Sequence, residues 1–245
     1  MISKQRVKFV KSLKLKKYRK KAALFLVEGA RNVIELLSSD YEIQNLFVTE
    51  KFLNEFPHHL TFKFDYEICS EKELVDLGTF QTNEYALAVA KMKSNPFNIS
   101  NDDLILALDD VSDPGNLGTI IRIADWFGLK TIIAGMDSAD FYNPKVINAS
   151  MGSFTRVNVH SMDLEDFFRS NTKHRIYGAG LNGVDVHHVK LDKPAILLMG
   201  NESKGISDRL STYLDKRITI PKIGGAESLN VAVSTAIICD NFFRN

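Results

Sequence analysis

At 245 residues the chain is long enough to bury one large core or two smaller ones, and its 44% hydrophobic, 25% charged composition excludes fibrous and low-complexity classes. The net charge of +1 hides a segregation: residues 1–21 hold ten of the 31 basic residues and no acid, leaving 21 basic against 30 acidic residues elsewhere. No apolar run approaches the length of a membrane span, and none near Met1 resembles a secretory signal. Cys69 and Cys239 lie far apart in apolar surroundings without metal-site spacing, so free thiols in a reducing cytoplasm are expected, with no structural metal.

The basic segment contains Lys4, Arg6, Lys8, Lys11, Lys14, Lys16, Lys17, Arg19, Lys20 and Lys21. Val7, Val10, Leu13, Leu15 and Tyr18 thread it with a loose apolar stripe, which predicts a docked helix. A basic arm on an acidic remainder favours a nucleic-acid partner over a passive solvated face. A targeting peptide fits badly, because the arm is Lys-rich and runs straight into Leu24-Phe-Leu-Val-Glu-Gly.

Strands are expected at 24–27, 45–49, 62–68 and 85–89, with a helix at 30–37. Ser70 followed by Glu73 is a capping-box signature for a helix through Leu77. These elements make a smaller mixed α/β domain over residues 1–94, and the aperiodic, Pro-containing stretch at 95–101 reads as a linker.

From residue 102 the chain alternates regularly, as an α/β domain with a parallel sheet does. Strands are expected at 104–108, 131–134, 156–159, 175–178, 195–199 and 217–220, and helices at about 119–127 and 144–149. Pro221 stops the last strand, Gly224 and Gly225 form a bend, and Ser228 is placed to cap a terminal helix carrying Leu229, Ala232, Val233, Ala236 and Ile237. Asn230, an amide in the first turn of that apolar helix, is expected to face a ligand or to serve the cap.

Three loops that follow strands are rich in Gly, Asn and charge, and ligands of open α/β sheets bind beyond the carboxyl ends of strands. The first contributes Asn116 and Arg122, the second Asn201 and Glu202, the third Glu227, Ser228 and Asn230. Arg122 stands among Ile120, Ile121, Ile123 and Ala124. Buried there, a guanidinium must meet an anion or pair internally, with Asp109, Asp110 or Asp125 as candidate partners.

Gly178-Ala-Gly-Leu-Asn-Gly183 matches a dinucleotide-binding glycine pattern, but the β-branched residues after it predict no helix, so a nicotinamide site is not expected. His187 and His188 are adjacent, and on a strand they would point to opposite faces.

Taken together, the three loops resemble the SpoU (TrmH-like) branch of the SPOUT RNA methyltransferases. Leu108-Asp-Asp-Val-Ser-Asp-Pro-Gly-Asn-Leu-Gly-Thr-Ile-Ile-Arg is similar to the family's first motif, Leu198-Met-Gly-Asn-Glu-Ser-Lys-Gly-Ile to its second, and Ile220-Pro-Lys-Ile-Gly-Gly-Ala-Glu-Ser-Leu-Asn-Val-Ala-Val to its third. The resemblance covers residues 104–243, and Glu28-Gly-Ala-Arg31 resembles the start of the substrate-binding domain that many members carry.

The resemblance implies transfer of methyl from S-adenosylmethionine to a ribose 2′-hydroxyl of ribosomal or transfer RNA. It also implies a trefoil knot and a homodimer whose interface lies beside the cofactor. Arg122, Asn116, Glu202, Ser228 and Asn230 take the catalytic positions by this resemblance. The cofactor would lie among Ala179, Gly180, Met199, Gly200, Asn201, Ile220, Ile223, Ser228 and Leu229. The competing expectation is a catalytically silent RNA-binding protein of the same fold.

Overall fold

The computed structural model describes residues 2–60, 64–94, 97, 99 and 104–244. Most of the expected linker at 95–101 and the start of the expected strand at 62–68 lie outside the described residues. The chain divides into two compact units, Met1–Asn95 with Asp140–Thr155, and Pro96–Ala139 with Arg156–Asn245.

In the first unit the basic segment forms two helices rather than one, α1 (Lys4–Ser12) and α2 (Lys16–Ala22). Leu13, at the turn between them, is fully buried in a cluster with Val10, Leu24, Leu74 and Leu77. Leu13 closes α1 with helical dihedrals, and the path turns after it, where Leu15 enters α2 with extended backbone. Arg19 clamps the same turn. It is 2% exposed, its Nη1 donates to the carbonyls of Leu13 and Lys14, and its Nη2 reaches Asp140 at 2.5 Å.

The unit continues through β1 (Leu24–Glu28), α3 (Ala30–Leu37), β2 (Ile43–Val48), α4 (Glu50–Glu55), β3 (Glu67–Ile68), α5 (Glu71–Leu77) and β4 (Ala86–Lys91). Its sheet has the order β1-β4-β2-β3, with β3 parallel to β2 and the other pairings antiparallel. The Ser70 capping box forms as expected: Ser70 Oγ accepts from the Glu73 amide, and Glu73 accepts from the Ser70 amide. Glu28 is buried at the end of β1, where its carboxylate accepts from the Thr79 amide and hydroxyl and from the Phe80 amide.

The second unit contains β5 (Leu104–Leu108), α6 (Pro114–Trp126) and β6 (Thr131–Ala134). The next helix, α7 (Pro144–Ala149), packs against β1 in the first unit. The second unit resumes with β7 (Asn158–Ser161), α8 (Leu164–Ser170), β8 (Arg175–Asp185), β9 (Ala195–Met199), α9 (Asp208–Ser211), β10 (Lys216–Thr219) and α10 (Val231–Phe243). Its six strands are all parallel, in the order β10-β8-β9-β5-β6-β7. Strands β5 and β9 lie side by side near the middle and are buried at every position, which explains their continuous aliphatic sequence. Parallel pairing brings the carboxyl ends of β5, β9 and β10 to one edge of the sheet. No helix among the described residues is long and apolar enough to cross a membrane.

Three local expectations are corrected. Helix α6 begins at Pro114, not near Thr119, because Asp113 caps it and proline suits the first helical position. Helix α10 begins at Val231, and its cap is Asn230 rather than Ser228. His187 and His188 lie in a turn after β8, where His187 Nδ1 contacts Asn241 Oδ1 and His188 Nδ1 contacts Asp185 Oδ2.

Candidate active site

The loop after β5 is shaped by two aspartates. Buried Asp109 accepts from the Ser207 amide at 2.6 Å, and Asp110, at φ +55°, accepts from the Asp137 amide. Asp113 then starts α6 by accepting from the Asn116 amide at 2.8 Å. Leu117, Ile120, Ile121 and Ala124 turn one face of α6 into the core. Thr119, Arg122 and Trp126 are exposed on the other side, while Asn116, in the first turn, is half-buried and is a helical residue rather than a loop one.

The loop after β9 is a tight turn centred on Asn201. Its backbone pairs both ways with Gly205, its Oδ1 accepts from the Ser203 and Lys204 amides, and its Nδ2 donates to the Asp110 carbonyl at 2.8 Å. Gly200 is required at this turn, since a Cβ there would overlap the backbone of Gly205. The turn projects Glu202 at the amino end of α6. Its carboxylate accepts from Asn116 Nδ2 at 3.0 Å, the Asp113 amide at 3.2 Å and the Ser112 amide at 3.4 Å. Burial alone would raise the Glu202 carboxyl. The bonds from Asn116 and these amides outweigh it and hold the group below the ordinary carboxylate range.

The third segment joins through Asn230. Its Oδ1 accepts from the Ala232 and Val233 amides as the cap of α10, and its Nδ2 donates to Asn116 Oδ1 at 2.8 Å. Asn116 must give its NH2 to the Glu202 carboxylate, so its carbonyl oxygen faces Asn230. One orientation of each amide satisfies the whole chain of bonds. Glu202, Asn116 and Asn230 thereby tie the segments after β9, β5 and β10 into one constellation.

Arg122 is not buried among the apolar residues, which corrects the sequence expectation. It is exposed on α6 and has no ion-pair or hydrogen-bond partner among the described residues. Helical spacing placed apolar neighbours beside it in sequence but turned them to the opposite face. None of the three expected partners pairs with it: Asp109 and Asp110 bind amides as above, and Asp125 takes Arg156 at 2.8 Å. Six helical steps separate Arg122 from Asn116, about 9 Å along the axis.

Around the constellation, residues 221–230 are all exposed, and Ser228 and Leu229 stand out with Ile223, which is 102% exposed. Among the described residues no hydrogen bond ties the backbone of 221–229. Met199 is buried at the end of β9, while Gly200, Asn201 and Ile220 are half-buried.

Ala179 and Gly180 lie within β8, not in a dinucleotide loop. Arg217 pairs with Gly178 and Ile218 with Val184, so residues 179–183 drop out of the ladder with β10. This excursion closes on Gly183, where a Cβ would overlap the Arg217 backbone. Asp113 was missed as a functional neighbour, although Asp-Pro before an apolar periodic run is a readable helix start.

Comparison with known proteins points one way. A model described as the SpoU rRNA Methylase family matches residues 103–240, and one described as the MRM3-like substrate binding domain matches residues 4–88. The chain is 32% identical over 237 residues to the Bacillus subtilis 23S rRNA (guanosine(2553)-2'-O)-methyltransferase RlmP, covering 96% of this chain and 94% of that protein. It superposes with TM-score 0.83 and 36% identity on a putative RNA methyltransferase of the TrmH family from Porphyromonas gingivalis, covering 100% of this chain and 99% of that one. The AdoMet-bound rRNA methyltransferase from Sinorhizobium meliloti gives TM-score 0.86 at 28% identity, covering 100% and 96%.

Proposed function

The chain belongs to the SpoU rRNA Methylase family, and on that premise we propose which of its residues carry the reaction. The protein is an S-adenosylmethionine-dependent methyltransferase that methylates a ribose 2′-hydroxyl of rRNA. When bound, the cofactor supplies an electrophilic methyl group on a sulfonium.

The residues present fit that cofactor. The exposed segment 221–229 offers backbone groups with no hydrogen bond among the described residues, and Ile223 and Leu229 give it apolar contact. Ile220, Ser228, Met199, Gly200 and Asn201 would flank the cofactor, with Ala179 and Gly180 as a further wall. The observation that carries the assignment is the Glu202–Asn116–Asn230 chain of bonds, which sets the spacing of the three segments.

A sugar hydroxyl must lose its proton to become nucleophilic, so this chain's part is to align it, hold its charge and exclude misplacement. Arg122 steadies the developing alkoxide or the adjacent phosphate. A guanidinium stays protonated and suits that work better than proton abstraction. Asn116, Asn230 and Ser228 orient ribose and cofactor, and Glu202 fixes Asn116.

Residues 1–94 serve as the RNA substrate-binding domain, 95–101 as linker and 102–245 as the methyltransferase domain, in keeping with the separate family matches. The catalytic domain is threaded as a trefoil knot, and the protein works in the cytoplasm. It assembles as a homodimer through the outer sides of α6 and α10, where Trp126 is 84% exposed and Val233 and Phe243 are also exposed. Trp126→Asp should convert a dimer to a monomer in sedimentation equilibrium, and an unchanged mass would move the interface elsewhere.

Methyl transfer is tested with tritiated cofactor and in vitro transcribed 23S rRNA, followed by mapping of the modified ribose. Incorporation at one ribose, abolished by Arg122→Ala, is the expected result. Label on a base, or undiminished turnover by the variant, would overturn the assignment.

A further inference from the structure

The ten basic residues of the amino-terminal segment are not equivalent. Arg6 pairs with Glu67, Lys11 Nζ reaches Asp76 Oδ1 at 2.5 Å, and Arg19 is buried under Asp140. The other seven, Lys4, Lys8, Lys14, Lys16, Lys17, Lys20 and Lys21, are exposed and have no ion-pair partner among the described residues.

Where the turn between α1 and α2 meets α5, an open groove of about 610 Å³ is lined by Lys11, Lys14, Lys72, Val75 and Asp76. Lys11 pairs with Asp76 of this lining, and Lys14 and Lys72 on its walls have no ion-pair partner among the described residues. Lys72 stands on α5, far in sequence from the basic segment, so this pairing is a product of the fold. The backbone that presents Lys14 is held from beneath, because Arg19 donates to the Lys14 carbonyl at 2.8 Å. Phe9, Leu15 and Tyr18 are exposed among the free lysines.

We infer that this groove is a binding site for the phosphodiester backbone of the RNA substrate, with Lys14 and Lys72 as its two phosphate ligands. Ammonium groups without carboxylate partners recognise phosphate as point charges and carry no base preference. Phe9 and Tyr18, exposed on the two helices that flank the turn, offer stacking faces for unpaired bases, a combination that suits a single RNA strand better than an acidic protein. The inference rests on the proposed assignment of residues 1–94 to substrate binding and deepens it, by separating basic residues that hold the fold from those that hold RNA.

The test uses the full chain and a fluorescein-labelled 20-nucleotide polyuridylate, with affinity measured by anisotropy from 50 to 300 mM KCl. Lys14→Ala/Lys72→Ala should lower the slope of log affinity against log salt by roughly 1.4, about 0.7 for each phosphate contact on a single strand. Affinity should fall about tenfold at 100 mM salt, while Lys173→Ala, in an exposed turn of the second unit, keeps the wild-type slope. Neither Lys14 nor Lys72 has an ion-pair partner among the described residues, so the double variant should melt with wild type, which thermal circular dichroism checks.

An unchanged slope in a folded double variant overturns the groove. Displacement of the RNA by polyglutamate at equal charge concentration would also overturn it, in favour of a site for acidic protein. Transfer of methyl to 23S rRNA by wild type is read separately. Its failure with a two-contact slope loss would refute the catalytic assignment and leave the groove standing.

Discussion

Asn230 donates its side-chain amide to Asn116 Oδ1 at 2.8 Å, joining the cap of the last helix to the first turn of α6 across 114 residues of sequence. The same Asn116 side chain donates to Glu202, so the bond sets the separation of two segments that flank the proposed cofactor site.

Breaking this joint should cost rate more than fold. Asn116→Ala and Asn230→Ala should each lower kcat/KM about 100-fold, the scale of an ångström-sized misplacement. Both residues act through one bond, so the double variant should be little worse than either single one. Full additivity in the double-mutant cycle would mean that the two amides work independently.

Arg122 should separate chemistry from binding. Arg122→Ala should reduce single-turnover methyl transfer roughly 100- to 1000-fold, as loss of a charge-stabilising donor does. Calorimetric affinity for S-adenosylmethionine should change less than twofold. Arg122→Lys should recover only part of the rate, because an ammonium lacks the planar fork.

Glu202 gives the site a pH limit with a definite sign. Its folded carboxyl lies below the ordinary value, so its stabilisation is complete above the unfolded value and is lost as pH falls through the folded one. The melting-temperature gap between wild type and Glu202→Gln should be constant well above the ordinary value of 4.5 and should narrow as pH falls below it. A gap that widens on acidification would contradict the hydrogen-bond account.

Glu28 should matter to stability. Its removal leaves the Thr79 amide and hydroxyl and the Phe80 amide without their acceptor in a buried place. Glu28→Ala should destabilise the protein by about 3 kcal/mol in urea denaturation. A loss below about 0.5 kcal/mol would show that water replaces the carboxylate at no cost.

The two cysteines should be silent. Burial pushes the Cys69 thiol up to about 12, with Glu73 and Glu67 adding to the effect, and burial does the same to Cys239. Ellman's reagent at pH 8 should label neither in the native protein and both in guanidinium chloride. Rapid native labelling would show that one of them opens to solvent.

Much of this architecture was legible because local rules were strong. Continuous aliphatics marked β5 and β9, and the Ser70–Glu73 pair marked α5 through a bond pattern local to four residues. The three motif loops identified the carboxyl edge of the sheet before any contact was known.

What stayed hidden was non-local or depended on helix phase. Arg122 looked buried because its sequence neighbours are apolar, yet α6 turns them to the core and Arg122 outward. The loose stripe of the basic segment reads as one helix, whereas the extended backbone at Leu15 divides it in two. Ser228 and Asn230 are both good caps by type, and the contact with Asn116 favours the second. The excursion at 179–183 had no local signal, since its register is set by the partner strand β10.

The Arg19 clamp has a consequence for association. With its guanidinium spent on the Leu13 and Lys14 carbonyls and on Asp140, the turn carrying Lys14 is built before any partner arrives. Capture of a polyanion then immobilises ammonium rotamers alone and requires no coil-to-helix ordering. Encounter should therefore run at a rate governed by long-range attraction, slowing steeply as ionic strength rises.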